Sequence, residues 1–363
     1  MKPDHSALRD DRSPGTGMSD LSSRPPPSAT ARPPRLRTNV LLFLATVVTT
    51  IMAGALQARG AAAFTSLESV LTGVPFSAAL LGILLAHEMG HYFTSRHYGV
   101  PASLPYFIPV PTIIGTMGAV IRMRAVIRDR RILFDIGIAG PLAGLAVAIP
   151  ATLIGLNLSE VIEAGSTRGG IELGDSLLFM ALTRWVFGPL GESQTVLLHP
   201  VAFAGWLGFF LTSLNLLPMG QLDGGHVTYG ILGPRHRIVS RSAFIAILLW
   251  GVHGVFAEIN PVGWLWALAF CWVTVRLAFS THGSPLMRSL AVFLGLAGVF
   301  GNMAPSTTVW VVWAVLMCFL KLDHPPTRDI SVPLDPGRKI LGWIGLIVFL
   351  LTFIPQPFKE IMP

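Results

Sequence analysis

Charge and cysteine are both scarce in this sequence, and each scarcity excludes something. Only 12% of the 363 residues are Asp, Glu, Lys or Arg, while 52% are hydrophobic and the mean hydropathy is +0.62. An ordinary soluble domain carries about twice that charged fraction, so a water-surrounded globule is excluded and a polytopic membrane protein is predicted. The only two cysteines, Cys271 and Cys318, both fall inside apolar runs, which argues against a disulfide framework and against a cysteine-based metal site. Internal repeats are lacking too, so an inverted-repeat transporter architecture finds no support. The excess of 26 basic over 19 acidic residues is not interleaved with aromatics, which argues against a nucleic-acid partner. The basic residues lie in the connections between apolar runs, where they orient a membrane protein.

What is present is a series of apolar runs with interpretable breaks. Residues 1–38 are rich in Pro, Ser and Arg and poor in large apolar side chains, a composition that predicts a disordered tail. Its aspartates (Asp4, Asp10, Asp11, Asp20) argue against an organellar transit peptide. A first span is expected from about Asn39 to Gln57 within a 39–73 segment, and a second from Val74 to Thr94. Between Pro101 and Arg131, four prolines (101, 105, 109, 111) forbid a continuous helix in an otherwise apolar stretch. Gly115-Thr116-Met117-Gly118 within it reads as a turn or closely approached strand. Non-helical backbone at membrane depth survives only against protein or a water-filled cavity, so a re-entrant loop or β-hairpin is expected here. A third span, Ile132 to Leu156, carries Gly137, Gly140, Pro141 and Gly144, small residues that let helices approach closely. A polar segment follows, Asn157 to Val196, with Gly165 to Gly174 as its most flexible part, and then a fourth span, Leu197 to Leu217. Further runs at 242–257, 262–280, 289–302, 307–320 and 340–355 bring the expectation to about eight or nine transmembrane helices. With the N-terminal tail placed in the cytoplasm, every Lys and Arg except Arg59, Arg168, Arg184 and Lys359 falls on the cytoplasmic side, as the positive-inside rule asks.

The motif that organises the chain is His87-Glu88-Met89-Gly90-His91, inside the second run. Four residues apart on a helix, His87 and His91 share a face and can occupy adjacent positions on one zinc ion, with Glu88 beside them as general base. An ionisable group among Leu, Ile and Ala at membrane depth is expensive and marks a functional site by default. A hydrolytic zinc site takes three protein ligands and leaves one position open. Asp223 is the best third ligand, since the Asp223-Gly224-Gly225 break follows an apolar span and ends at the same side and depth as His87. Asp135 and Glu258 lack comparable turn chemistry. Asn215 and Pro218 interrupt the fourth span just before Asp223. The Asn amide can serve a peptide backbone or an oxyanion, and a purely structural kink is an equal alternative. His226 could support the ligands from behind or be a loop residue.

His87-Glu88-Met89-Gly90-His91, Asn215-Leu216-Leu217-Pro218 and Leu222-Asp223-Gly224-Gly225-His226 together resemble the site-two protease family of intramembrane zinc metalloproteases, peptidase family M50. Gly140-Pro141-Leu142-Ala143-Gly144 and Gly115-Thr116-Met117-Gly118 resemble further segments of that family. The resemblance covers roughly 74–230, which reads as the catalytic membrane core, with 231–363 as additional helices and a short tail. It implies one Zn2+ per chain held by His87, His91 and Asp223, Glu88 as catalytic base, and transmembrane or membrane-associated proteins as substrates. It also implies a hairpin including Gly115, Thr116 and Gly118 that holds substrate extended. The segment between the third and fourth spans is too short for a PDZ domain, so the resemblance is to the bacterial and plastid branch without one. A bacterial inner membrane is the expected location, with the site toward the cytoplasm. A cation transporter using the same His and Asp residues, or a catalytically silent homologue, is the alternative reading.

Overall fold

Prolines start half of the described helices. The computed structural model describes residues 36–123, 125–163, 172–257, 261–280, 284–300, 305–329 and 331–359. Nearly all of the tail expected at 1–38, most of 165–174, and Glu258 lie outside these residues. Twelve α-helices are described: α1 Leu36–Arg59, α2 Leu67–Leu71, α3 Val74–His97, α4 Arg130–Asn157, α5 Leu177–Phe187, α6 Pro200–Asn215, α7 Asp223–Leu232, α8 His236–Ala257, α9 Pro261–Ala278, α10 Pro285–Phe300, α11 Pro305–Leu320 and α12 Pro336–Thr352. Six of them, α3, α6, α9, α10, α11 and α12, open at a proline or one residue before it. Proline has no N–H to lose at that position and its φ is already helical.

Three helical stretches are long and apolar enough to cross a bilayer: Leu36–Phe64, Leu67–His97 and Arg130–Asn157. At 1.5 Å per residue each exceeds a hydrocarbon core of about 30 Å. Among the described residues there are also shorter apolar helical pieces of 10–17 residues, including α6 and most of α9, α10 and α11. They lie at the positions expected from the apolar runs. The stretch read as polar between the third and fourth spans differs from expectation. It contains α5, whose Ser176 caps the first turn and whose Phe179 and Leu182 are buried. Eleven residues are too few to span a bilayer, and polar flanks on both sides mask the helix in the sequence.

Helix α4 is the central element, packing on α3, α6 and α7. The approach is set by small residues. A Cβ on Gly90 of α3 would sit 2.6 Å from the Ala139 carbonyl, and one on Gly205 of α6 would collide with Thr152. Around this contact Phe76, Leu80, Trp206, Leu207 and Phe209 are fully buried. A second group packs α11 against α8, α9 and α10. The proline-broken stretch after α3 forms a two-stranded antiparallel hairpin, β1 Tyr106–Pro109 and β2 Thr116–Val120. Its register is irregular between Phe107 and Pro109, where proline cannot donate to the ladder. Gly115 (φ +82°) and Gly118 (φ +95°) take left-handed conformations that side-chain-bearing residues adopt at a cost. Two shorter pairings also form, β3 Glu160–Glu163 with β5 Gln194–Leu197 and β4 Glu172–Leu173 with β6 Phe358–Lys359.

Candidate metal centre

The geometry begins with helix periodicity. His87, Glu88 and His91 are all buried on α3, and His87 and His91, one turn apart, present their Nε2 atoms 3.1 Å from each other. Asp223 opens α7 and brings Oδ2 to 3.1 Å from His87 Nε2 and 3.2 Å from His91 Nε2. Asp223 reaches this point because its neighbours are glycines. A Cβ at Gly224 would collide with the Leu216 carbonyl, and one at Gly225 with the Gly220 carbonyl. The first turn of α7 can therefore fold directly against the turn that follows α6.

The triangle of donor atoms fits a tetrahedral metal. Ligands about 2.0–2.1 Å from zinc stand about 3.3 Å apart along a tetrahedral edge, close to the 3.1–3.2 Å seen here. Donor chemistry points the same way. His91 Nδ1 lies 2.7 Å from the Ile136 carbonyl, which only accepts, so Nδ1 carries the proton and Nε2 is left with a lone pair. That lone pair faces a carboxylate oxygen and a second imidazole, and a shared cation satisfies all three. Among the described residues these three form the one group of His, Cys, Asp and Glu side chains whose ligand atoms converge in this way.

The walls of the site are glycines of α4. A Cβ at Gly140 would collide with His91 Nε2, and one at Gly144 would lie 3.2 Å from His87 Cβ. The small-residue pattern in α4 is legible in the sequence as a helix-contact motif. That two of these glycines make room for the imidazoles, and that Ile136 supplies the carbonyl behind His91, is visible only in the structure. Asp135, the residue before it, is occupied elsewhere. Arg338 of α12 forks onto it with Nε 2.9 Å from Oδ1 and Nη2 2.6 Å from Oδ2, and Tyr98 donates to the same carboxylate.

Other predicted residues fall at different distances from the triangle. Asn215, the last residue of α6, places Nδ2 3.3 Å from His87 Nε2. Pro218 is half-buried in the turn between α6 and α7. Gly115, Thr116 and Gly118 lie on the hairpin, where the Thr116 hydroxyl donates to the Ile108 carbonyl at 3.0 Å and accepts from the Gly118 N–H at 3.0 Å. One residue past β2, the Ile121 backbone N–H faces the Glu88 carboxylate, so the hairpin runs from Gly115 to the edge of the centre. His226 makes its hydrogen bond to His324, 2.7 Å away.

Residues 75–257 match the family model described as Peptidase family M50. The chain is 37% identical over 286 residues to a protein of Arabidopsis thaliana named probable zinc metalloprotease EGY1, chloroplastic, covering 78% of this chain and 43% of that protein. It is 35% identical over 175 residues to the Oryza sativa subsp. japonica protein of the same name, covering 46% of this chain and 29% of that one. Probable zinc metalloprotease EGY2, chloroplastic, of Arabidopsis thaliana is 29% identical over 241 residues, with 66% of this chain and 41% of that protein covered. The chain thus spans less than half the length of each of these relatives. No solved structure matches it.

Proposed function

The chain belongs to peptidase family M50, and we propose that it is an intramembrane zinc metalloprotease that hydrolyses peptide bonds of transmembrane or membrane-associated proteins. One observation carries this reading: two imidazoles and a carboxylate converge to within 3.1–3.2 Å while a buried glutamate lies next to one of them in the chain. His87, His91 and Asp223 are the ligands, a set of nitrogen and oxygen donors that suits zinc and leaves a fourth position open. Zinc, when bound, supplies Lewis acidity to water and to the scissile carbonyl. Glu88 takes the proton of the attacking water and returns it to the leaving amine. The Asn215 amide, within 3.3 Å of His87 Nε2, donates to the oxyanion that develops on the carbonyl. Pro218 ends the helix behind Asn215 and holds that amide at the site.

A helical substrate has its carbonyls engaged in its own i→i−4 bonds and must unwind locally before it can react. Strand addition along β2, in the stretch of Gly115, Thr116 and Gly118, replaces the lost backbone hydrogen bonds. The prolines of the preceding segment and the hairpin's approach to Glu88 support a re-entrant position in the bilayer. The catalytic core is 74–230, after a first span within 39–73 and an N-terminal tail over 1–38, with 231–363 adding helices to a total of eight or nine. The distribution of Lys and Arg supports a cytoplasmic-facing site, and a bacterial inner membrane is the setting we favour.

The test is cleavage of a transmembrane reporter by purified protein in detergent, wild type beside Glu88→Gln, with zinc quantified in both. The proposal expects equal zinc and turnover reduced by about 10²–10⁴-fold in the variant, the range for loss of a general base. A variant that cleaves as fast as wild type would overturn the role of Glu88.

A further inference from the structure

Helix α1 lies before the first residue of the family match at 75, yet it grips the hairpin along its length. Near its start, Asn39 Nδ2 donates to the Leu104 and Pro105 carbonyls at 3.1 and 2.8 Å, at the entry to β1. Ten residues on, the Thr49 hydroxyl donates to the Gly115 carbonyl at 2.6 Å, in the turn between the strands. Towards its end, Gln57 Nε2 donates to the Ile113 carbonyl at 2.8 Å. From residue 39 to 57, α1 covers about 27 Å of rise, comparable to the depth of a bilayer core. Phe43 packs edge-on against Phe107 with ring centroids 5.1 Å apart. A Cβ on Gly115 would lie 2.5 Å from the Thr49 carbonyl, so the turn rests directly on the α1 backbone.

Every one of these bonds ends on a carbonyl of the β1 flank or the turn, none on β2. Proline supplies the reason such bonds are available. Pro105, Pro109 and Pro111 leave the flank short of N–H donors, so its carbonyls are free to take donors from elsewhere. In the apolar part of a membrane an unmet carbonyl is costly, and α1 provides the donors. The same contacts fix the hairpin's height. Its other strand pairs only with β1 among the described residues and ends at Val120, one residue before the Ile121 N–H that faces Glu88. A vertical shift of the hairpin therefore moves any strand added to β2 past Glu88.

We infer that α1 sets the register of the substrate strand: Asn39, Thr49 and Gln57 are positioning residues that determine which peptide bond of an added strand reaches Glu88. This rests on the protease reading above. It makes a quantised prediction, because slipping a strand by one residue exchanges its faces whereas slipping by two preserves them.

The experiment uses the full-length protein in detergent with a transmembrane reporter, the products mapped by mass spectrometry and zinc measured in each sample. Thr49→Val keeps the shape and loses the donor, Thr49→Ser keeps the donor, and Asn39→Leu removes both amide bonds. In the double variant Thr49→Val with Asn39→Leu, we expect cuts two residues from the wild-type position, kcat/KM about tenfold lower, and zinc equal to wild type. Thr49→Ser should cleave as wild type does. Amide hydrogen exchange at Val110 and Gly115 should quicken at least tenfold in the double variant. A double variant that cuts the wild-type bond with wild-type kcat/KM, or Thr49→Ser disturbed as much as Thr49→Val, overturns the inference while the protease reading stands. Loss of zinc in the double variant also overturns it, because the role is then structural. Zinc-loaded wild type that cleaves no reporter overturns both.

Discussion

Two groups of buried histidines meet α7 one turn apart, and they are built on opposite logic. Asp223 joins His87 and His91, and three residues later His226 joins His324 and His236. In the first group the free lone pairs converge on one point. In the second, donors and acceptors alternate along a line. His324 Nδ1 donates to the Pro325 carbonyl, so its Nε2 is an acceptor and accepts a hydrogen bond from His226 Nδ1–H at 2.7 Å. The His324 backbone N–H in turn donates to His236 Nε2 at 3.1 Å, and the Tyr229 ring stacks on His324 at 4.7 Å. Convergent lone pairs call for a cation, whereas the lone pairs of His324 Nε2 and His236 Nε2 each already face an N–H donor. Burial does not separate the two groups; the direction of the nitrogens does.

Three substitutions break or sharpen that contrast. Removing a convergent ligand has the largest effect: Asp223→Ala should lose zinc and cleave at no detectable rate, read as metal content after dialysis together with reporter turnover. Retention of stoichiometric zinc would assign the carboxylate a different role. Next is Gly140→Ala, which touches no ligand chemically but places a Cβ against His91 Nε2. A packed helix interface does not absorb such an overlap freely. We expect zinc affinity lowered by about 100-fold, at the upper end for residues that orient a ligand, measured by chelator competition. The smallest effect belongs to the second group. His324→Phe keeps the ring volume against Tyr229 but leaves the His226 N–H without its acceptor, a loss of about 1–3 kcal/mol in stability with zinc content unchanged.

The same variant carries a pH signature. Burial is the main cause that holds His324 down at about 4, well below the ordinary 6.5. The unfolded chain therefore takes up that proton first, and stability falls as the pH drops from about 6.5 to about 4, remaining flat above 7. Thermal unfolding followed over this range should show a shallower acid slope in His324→Phe than in wild type. An unchanged slope would mean that other groups dominate acid unfolding.

Much of the centre is legible in the amino-acid sequence. The i, i+4 spacing of His87 and His91 places them on one helix face whatever surrounds them, and Asp223-Gly224-Gly225 announces a carboxylate on a bendable backbone. Proline density after residue 100 announces a non-helical excursion. Less accessible are features whose partners are distant in the chain. Ile136 acts through its carbonyl, which every residue has, so no side-chain signal marks it. Asp135 can be read as a candidate ligand because Arg338, its actual partner, is 203 residues away. His226 and His324 are separated by 98 residues, and α5 is short enough to disappear between its polar flanks.

Periodicity, composition and backbone chemistry are local, and they determined the membrane class, the helix starts at proline and the residue types able to hold a metal. Tertiary structure decided where lone pairs point. The 3.1–3.2 Å triangle depends on how closely α3 and α4 approach and on how α7 folds against the turn after α6. The hold of α1 on the hairpin likewise depends on carbonyls left unpaired by a segment 65 residues further on. Those distances arise from packing between elements, where a single Cβ determines whether an imidazole fits.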